Sequence, residues 1–112
     1  MIHQRWHLVF LRTDEKDPDG HPAVILSSDD TMADSRQQRF NVVTGTKKQP
    51  GENARNHQVI LDAADRLEFP TVVDCSLVYV ARKLSILRST GSVTINRRQL
   101  IRRAVRGYLG LG

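Results

Sequence analysis

Most of the chain alternates short apolar runs with polar, turn-rich segments, and only its end carries apolar residues at helical spacing. The run WHLVFL, residues 6–11, is aromatic and β-branched and predicts a first strand. RTDEKDPDG follows with Asp-Pro and Asp-Gly turn signals, and HPAVILS predicts the second strand. Pro22 has no amide hydrogen to donate, so it belongs at that strand's first position or on an edge. SSDDTMADSRQQ reads as a polar connection, RFNVVTGT as a third strand, and KKQPGENARN as a loop with a Pro-Gly turn. HQVILDA and PTVVDCSLVYVAR predict two more strands separated by ADRLEF. Alternation along the latter puts Val73, Cys75, Leu77 and Tyr79 on one face and Val72, Asp74, Ser76, Val78 and Val80 on the other. A strand apolar on both faces is expected to be central, where the carboxylate of Asp74 needs a partner or a task.

Gly91 interrupts the pattern before a terminal amphipathic helix. Ile95, Ile101, Ala104, Val105, Tyr108 and Leu109 can share one of its faces, with arginines over much of the rest. Thr94 or Asn96 can cap its start and Gly110 can end it. The expected class is mainly β (α+β): a strongly bent antiparallel sheet or small barrel closed by a C-terminal amphipathic helix.

At 112 residues the chain is expected to form one domain with a core of its own. A single cysteine, Cys75, has no internal disulfide partner and no zinc-site spacing around it. No apolar run approaches the ~20 residues that cross a bilayer, and the first residues lack the features of a signal peptide, so no membrane partner and a cytoplasmic location are expected. The net charge of +5 is unevenly spread. From Cys75 onward there is no Asp or Glu, while Arg82, Lys83, Arg88 and a series of arginines between 97 and 106 all lie there. A basic end of this kind suits a polyanion, either nucleic acid or an acidic protein, or serves simply as a solvated helix face.

Besides Asp74, three places could carry chemistry. His21 is biased toward extended backbone by Pro22, and an imidazole can act as base or acid near neutrality; a lone histidine is also a common loop residue. In VVTGTKK, residues 42–48, two threonines flank a glycine ahead of Lys47 and Lys48, a grouping that can hold a phosphate without matching a nucleotide-triphosphate loop. His57 opens the strand HQVIL, where it reaches a groove or sits at a surface strand end. Cys75 reads as a core residue and not a nucleophile, and Trp6 and Phe10 read as core.

Taken in order, HPAVILS, VVTGTKK, the strand opened by His57, TVVDCSLVYVARKLSI and a closing helix ending LGL resemble the PemK/MazF-like toxins of bacterial toxin–antitoxin systems, from about Trp6 to Leu111. The resemblance implies a single toxin domain over residues 1–112, folded as a small SH3-like antiparallel barrel of about five to seven strands with a C-terminal helix and assembled as a homodimer. It further implies metal-independent cleavage of single-stranded mRNA to 2′,3′-cyclic phosphate and 5′-hydroxyl ends, no cofactor, and neutralisation by a cognate acidic antitoxin.

By the same resemblance, Thr44 is the donor toward the scissile phosphate, and Thr46, Lys47 and Lys48 line the RNA groove beside His57. His21 stands where the family has its catalytic arginine. Ser76 and Leu77 replace an Asp/Glu-Gln pair, with Asp74 nearby, and Tyr79 or Val80 stands at the family's further arginine, with Arg82 near. The catalytic set implied is His21, Thr44 and Asp74, with Thr46, Lys47, Lys48, His57, Ser76 and Arg82 contacting RNA. Other readings are a barrel of this fold that binds RNA without cutting it, and one that blocks a protein target such as gyrase.

Overall fold

The structure is a computed structural model that describes residues 2–111. Seven strands run β1 His7–Leu11, β2 His21–Ile25, β3 Arg39–Lys47, β4 Gln58–Leu61, β5 Thr71–Asp74, β6 Tyr79–Arg82 and β7 Ile86–Ser92, with helices α1 Asp29–Ala33 and α2 Ile95–Leu109. All pairings are antiparallel, in the order β4-β5-β3-β2-β1-β7, with β6 also on β3. This bears out the mainly β class and its closing helix. The sheet does not close by hydrogen bonding, since β4 and β7 end the path.

The apolar runs of β1, β2 and β3 are explained by cores on both sides of the sheet. Leu8, Val24 and Val43 enter one cluster with Val59, Leu61, Val73 and Ile101. Their sequence neighbours Val9, Ala23, Ile25 and Val42 enter the other with Met32 and Phe40. Complete burial of each such Val, Leu, Ile, Phe or Met side chain stabilises by about 1.5–3 kcal/mol, which is why these strands lack simple polar alternation. Pro22 pairs with Phe10 of β1, but pairing to β3 begins only at Ala23, so the missing amide hydrogen costs no bond there.

Three expectations are corrected. The stretch 70–82 is not one strand. Its two halves, β5 and β6, lie along the same edge of β3, separated by a turn over Cys75–Val78. Val72, Val73 and Cys75 are buried, whereas Leu77, Val78, Tyr79 and Val80 are exposed. Gly91 lies within β7, where its φ of +114° accompanies a bulge between Leu8↔Gly91 and Val9↔Ser89. The polar connection after β2 contains α1, capped by the Ser28 hydroxyl, which accepts from the Thr31 amide.

Helix α2 begins and ends as its sequence indicates. The Thr94 hydroxyl accepts from the Arg97 amide, and Gly110 takes the left-handed conformation at the C-terminus. Of its expected apolar face, Ile101 is fully buried and Ala104 and Val105 are partly buried, but Ile95, Tyr108 and Leu109 are exposed. Its first turn is pinned by the fully buried Asp65, which accepts from the amides of Asp62 and Thr94 and from Arg97 Nε. Arg97 Nη2 also donates to Asp62 at 2.9 Å. A buried carboxylate thus finds donors on both the segment after β4 and the helix.

Candidate functional site

Two cavities flank the middle of β3. The larger, about 690 Å³, has His21, Thr44 and Thr46 on its wall above an apolar floor that includes Leu11 and Val42. The register explains this grouping. Ala23 pairs with Thr44 at the end of the β2–β3 ladder, and His21, two residues further along β2, is diagonal to Thr44. Diagonal neighbours have Cβ atoms within roughly 7–8 Å, near enough for the two side chains to face one small group. Ala23, on the same rung as Thr44, is fully buried.

Positive charge comes to this groove from three directions. Arg12 follows β1, Arg39 opens β3 and Arg82 closes β6; all three line the cavity. Arg39 and Arg82 are direct partners in the β3–β6 ladder and both are exposed. Like charges directly opposed across strands are unfavourable unless an anion lies between them. No Asp or Glu is among the groove's lining residues.

His21 is anchored from outside the groove. Its Nε2 lies 2.9 Å from Oδ2 of Asp17, in the loop between β1 and β2. His21 itself opens β2 and pairs with Leu11, the extended conformation that a residue before proline favours.

The smaller cavity, about 250 Å³, shares Thr44, Thr46 and Tyr79 with the larger and adds Asp74 and Gln58. Asp74 accepts from the Ser76 amide at 2.9 Å and hydroxyl at 2.6 Å through the same oxygen, Oδ1, which shapes the turn between β5 and β6. Ser76 reaches this region only through Asp74. Burial, reinforced by the adjacent Asp74 carboxylate, pushes the Cys75 thiol up to about 12, consistent with a core residue and not a nucleophile.

Other sequence-derived candidates lie elsewhere. His57 precedes β4 with φ of +66°, and its ring packs edge-on against Tyr108 of α2 at 5.1 Å. Lys47 places its ammonium 5.0 Å from the centre of the Phe69 ring, and Lys48 Nζ donates to the Gln49 carbonyl. None of these three lines either cavity, so the groove's charge is carried by arginines and not by the lysine pair. Gly45, between the two threonines, has a steric role: a first side-chain carbon there would lie 2.6 Å from Thr71 Cγ2, which is fully buried.

No protein-family model matches the chain, and no curated protein matches it in sequence. Solved structures do match. An endoribonuclease from mycobacterial species, solved with its cognate antitoxin, superposes with a TM-score of 0.79 at 17% identity, covering 98% of this chain and 97% of that one. The Mycobacterium tuberculosis toxin MazF-mt6 gives 0.76 at 18% identity, covering 95% and 98%. A MazE–MazF structure from Deinococcus radiodurans gives 0.73 at 18% identity over 100% of both chains. The fold is that of the MazF toxins.

Within this MazF-like frame, the residues that sequence reasoning missed are Asp17, Arg12 and Arg39, whereas Tyr79 and Val80, set by the resemblance at the family's further arginine, do line the larger cavity. Arg12 and Arg39 sit at opposite ends of different strands, 27 positions apart by their numbers. Only the ladder through β2 and β3 brings them to one groove. Asp17 had one usable signal, a carboxylate four residues before the histidine across a Pro-Asp-Gly turn.

Proposed function

We propose that this chain is the toxin of a toxin–antitoxin pair and an endoribonuclease that cuts single-stranded RNA in the larger groove. The observation that carries this reading is the union of His21, Thr44 and the opposed Arg39–Arg82 pair in one groove without a carboxylate on its wall. RNA offers a phosphate to such a groove and carries its own nucleophile. The 2′-oxygen attacks the adjacent phosphorus while its proton passes to His21. The P–O5′ bond breaks, and the departing O5′ takes a proton from water. The products are a 2′,3′-cyclic phosphate and a 5′-hydroxyl. The Thr44 hydroxyl donates to a non-bridging oxygen, and the arginines offset charge that builds on the phosphorane. This reaction needs no cofactor.

Asp74 has one oxygen occupied by Ser76, so its role is recognition in the flanking cavity, beside Thr46 and Tyr79, and not proton transfer. His57, Lys47 and Lys48 are left to the protein's outer surface. The MazF-like neighbours solved with antitoxins support an antitoxin as the protein partner. The excess of basic residues suits an acidic one, and a homodimer in the cytoplasm completes the reading.

The test is incubation of purified protein with a defined single-stranded RNA in chelator, followed by mapping of both ends. Cyclic phosphate ends are expected, with His21→Ala and Thr44→Val each slowing cleavage by about 10²-fold or more while the melting curve stays that of a folded protein. A parent-rate His21→Ala protein overturns the assignment. One observation favours a second reading, RNA binding without cleavage: histidine stands where the resembled family has arginine. RNA retained with no new ends selects that reading.

A further inference from the structure

Resting on the endoribonuclease reading, we propose that Asp17 is a positioning residue for His21, fixing the ring so that Nδ1 is the nitrogen presented to the 2′-hydroxyl. Nε2 of His21 lies 2.9 Å from Oδ2 of Asp17, an ion-pair distance. A carboxylate can only accept, so in the proposed arrangement Nε2 carries the proton toward Asp17 and Nδ1 is the nitrogen left to face substrate. His21 lines the groove and Asp17 does not, which separates the group that meets substrate from the group that aims it.

Both ends of this contact are built on constrained backbone. The Asp17 amide donates to the Asp14 carbonyl at 3.1 Å, and the Gly20 amide donates to the Asp17 carbonyl at 3.3 Å, so the turn holds Asp17 from either side. Gly20 has φ of +76°, and a side chain there would meet the Leu11 carbonyl oxygen at 2.8 Å. Arg88 Nη1 ties down the loop further through the Asp19 carbonyl at 3.3 Å. On the other side, His21 is held by its pairing to Leu11 and by Pro22. The side chains of Asp17 and His21 are 31% and 50% exposed, and ion pairs so open to water add little to stability. Folding therefore gives no account of the contact, whereas orientation of a base does.

Two measurements, cleavage kinetics (single-turnover and steady-state) and ring nitrogen NMR of His21 without RNA, test the proposal on this chain and on its Asp17→Ala, Asp17→Asn and Asp17→Glu variants. In the parent protein, a ring proton on Nε2 of His21 is expected to be slowed in exchange. It should be lost in Asp17→Ala while the backbone amide spectrum stays that of the folded protein. Asp17→Ala should lower kcat about tenfold or more with KM within about twofold, Asp17→Asn should behave similarly, and Asp17→Glu should recover part of the loss. Parent kcat in Asp17→Ala, or an unchanged ring proton, overturns the positioning role and leaves the nuclease standing. A parent protein that cuts no RNA overturns the reaction, and the role with it, even where the ring proton shows the contact to be present.

Discussion

Arg39 and Arg82 stand directly opposite each other on adjoining strands, two guanidinium side chains in register with no carboxylate on the groove they share. Such a pair is unfavourable for folding, and an anion between the two guanidinium groups would relieve it. Arg39→Gln and Arg82→Gln should each leave the free protein as stable or more stable by a few tenths of a kcal/mol. Each should also weaken binding of a non-cleavable 2′-deoxy oligonucleotide and lower the salt slope of affinity by about 0.7 for every phosphate no longer neutralised. Melting curves and anisotropy titrations at several salt concentrations check the two effects separately. Loss of stability with unchanged salt slope would count against the anion role.

Gly20 joins the loop of Asp17 to the strand of His21. With φ of +76° and the Leu11 carbonyl oxygen and Leu87 Cδ1 at 2.8 and 2.9 Å from any added carbon, Gly20→Ala should destabilise by at least about 1–2 kcal/mol. Denaturant unfolding measures that cost. If the loop shifts to relieve the clash, cleavage should fall further than the stability loss accounts for.

The carboxylate of Asp65 is fully buried and accepts from two amides and Arg97, so Asp65→Ala strands those donors and should cost about 3–5 kcal/mol. Thr94→Ala removes only the helix cap, about 1 kcal/mol. A comparison of their urea midpoints tests the ranking.

Cys75 gives a stability prediction at high pH. Unfolded, its thiol loses a proton near 9.0, whereas burial and then Asp74 hold the folded thiol protonated up to about 12. Between those values the folded state binds more protons, so stability falls as pH rises through this window. Cys75→Ala should show a shallower loss from pH 9 upward. Alkylation of the native thiol at pH 8 should track global unfolding, and rapid labelling of folded protein would contradict the buried environment.

The elements legible in the sequence are those whose local pattern and tertiary setting agree. β1 to β3 read as strands because their unbroken apolar runs match a sheet covered on both faces, and Thr94 and Gly110 bound α2 as cap chemistry dictates. The break at Cys75–Val78 was hidden because VVDCSLVYV is apolar throughout; Asp74 turns the chain there by accepting from Ser76, and the apolar side chains beyond it are exposed. β7, ILRSTGS, lacks a strand-like run and owes its conformation to pairing with β1. At the site, His21 and Thr44 were legible as residue types. Their meeting depends on register, and Arg12, Arg39 and Asp17 join them only through ladders and a turn that local sequence does not encode.

β3 carries β2 on one edge and both β5 and β6 on the other, so the walls of the groove are fastened to a single rail. Strands on a common rail shift only by whole ladder steps, and a one-residue step would turn the buried Val42 and Val43 out of their cores. The groove is therefore a slot of fixed gauge. Its outline is set by the pairing of β3 with its neighbours, with no moving part needed to hold it.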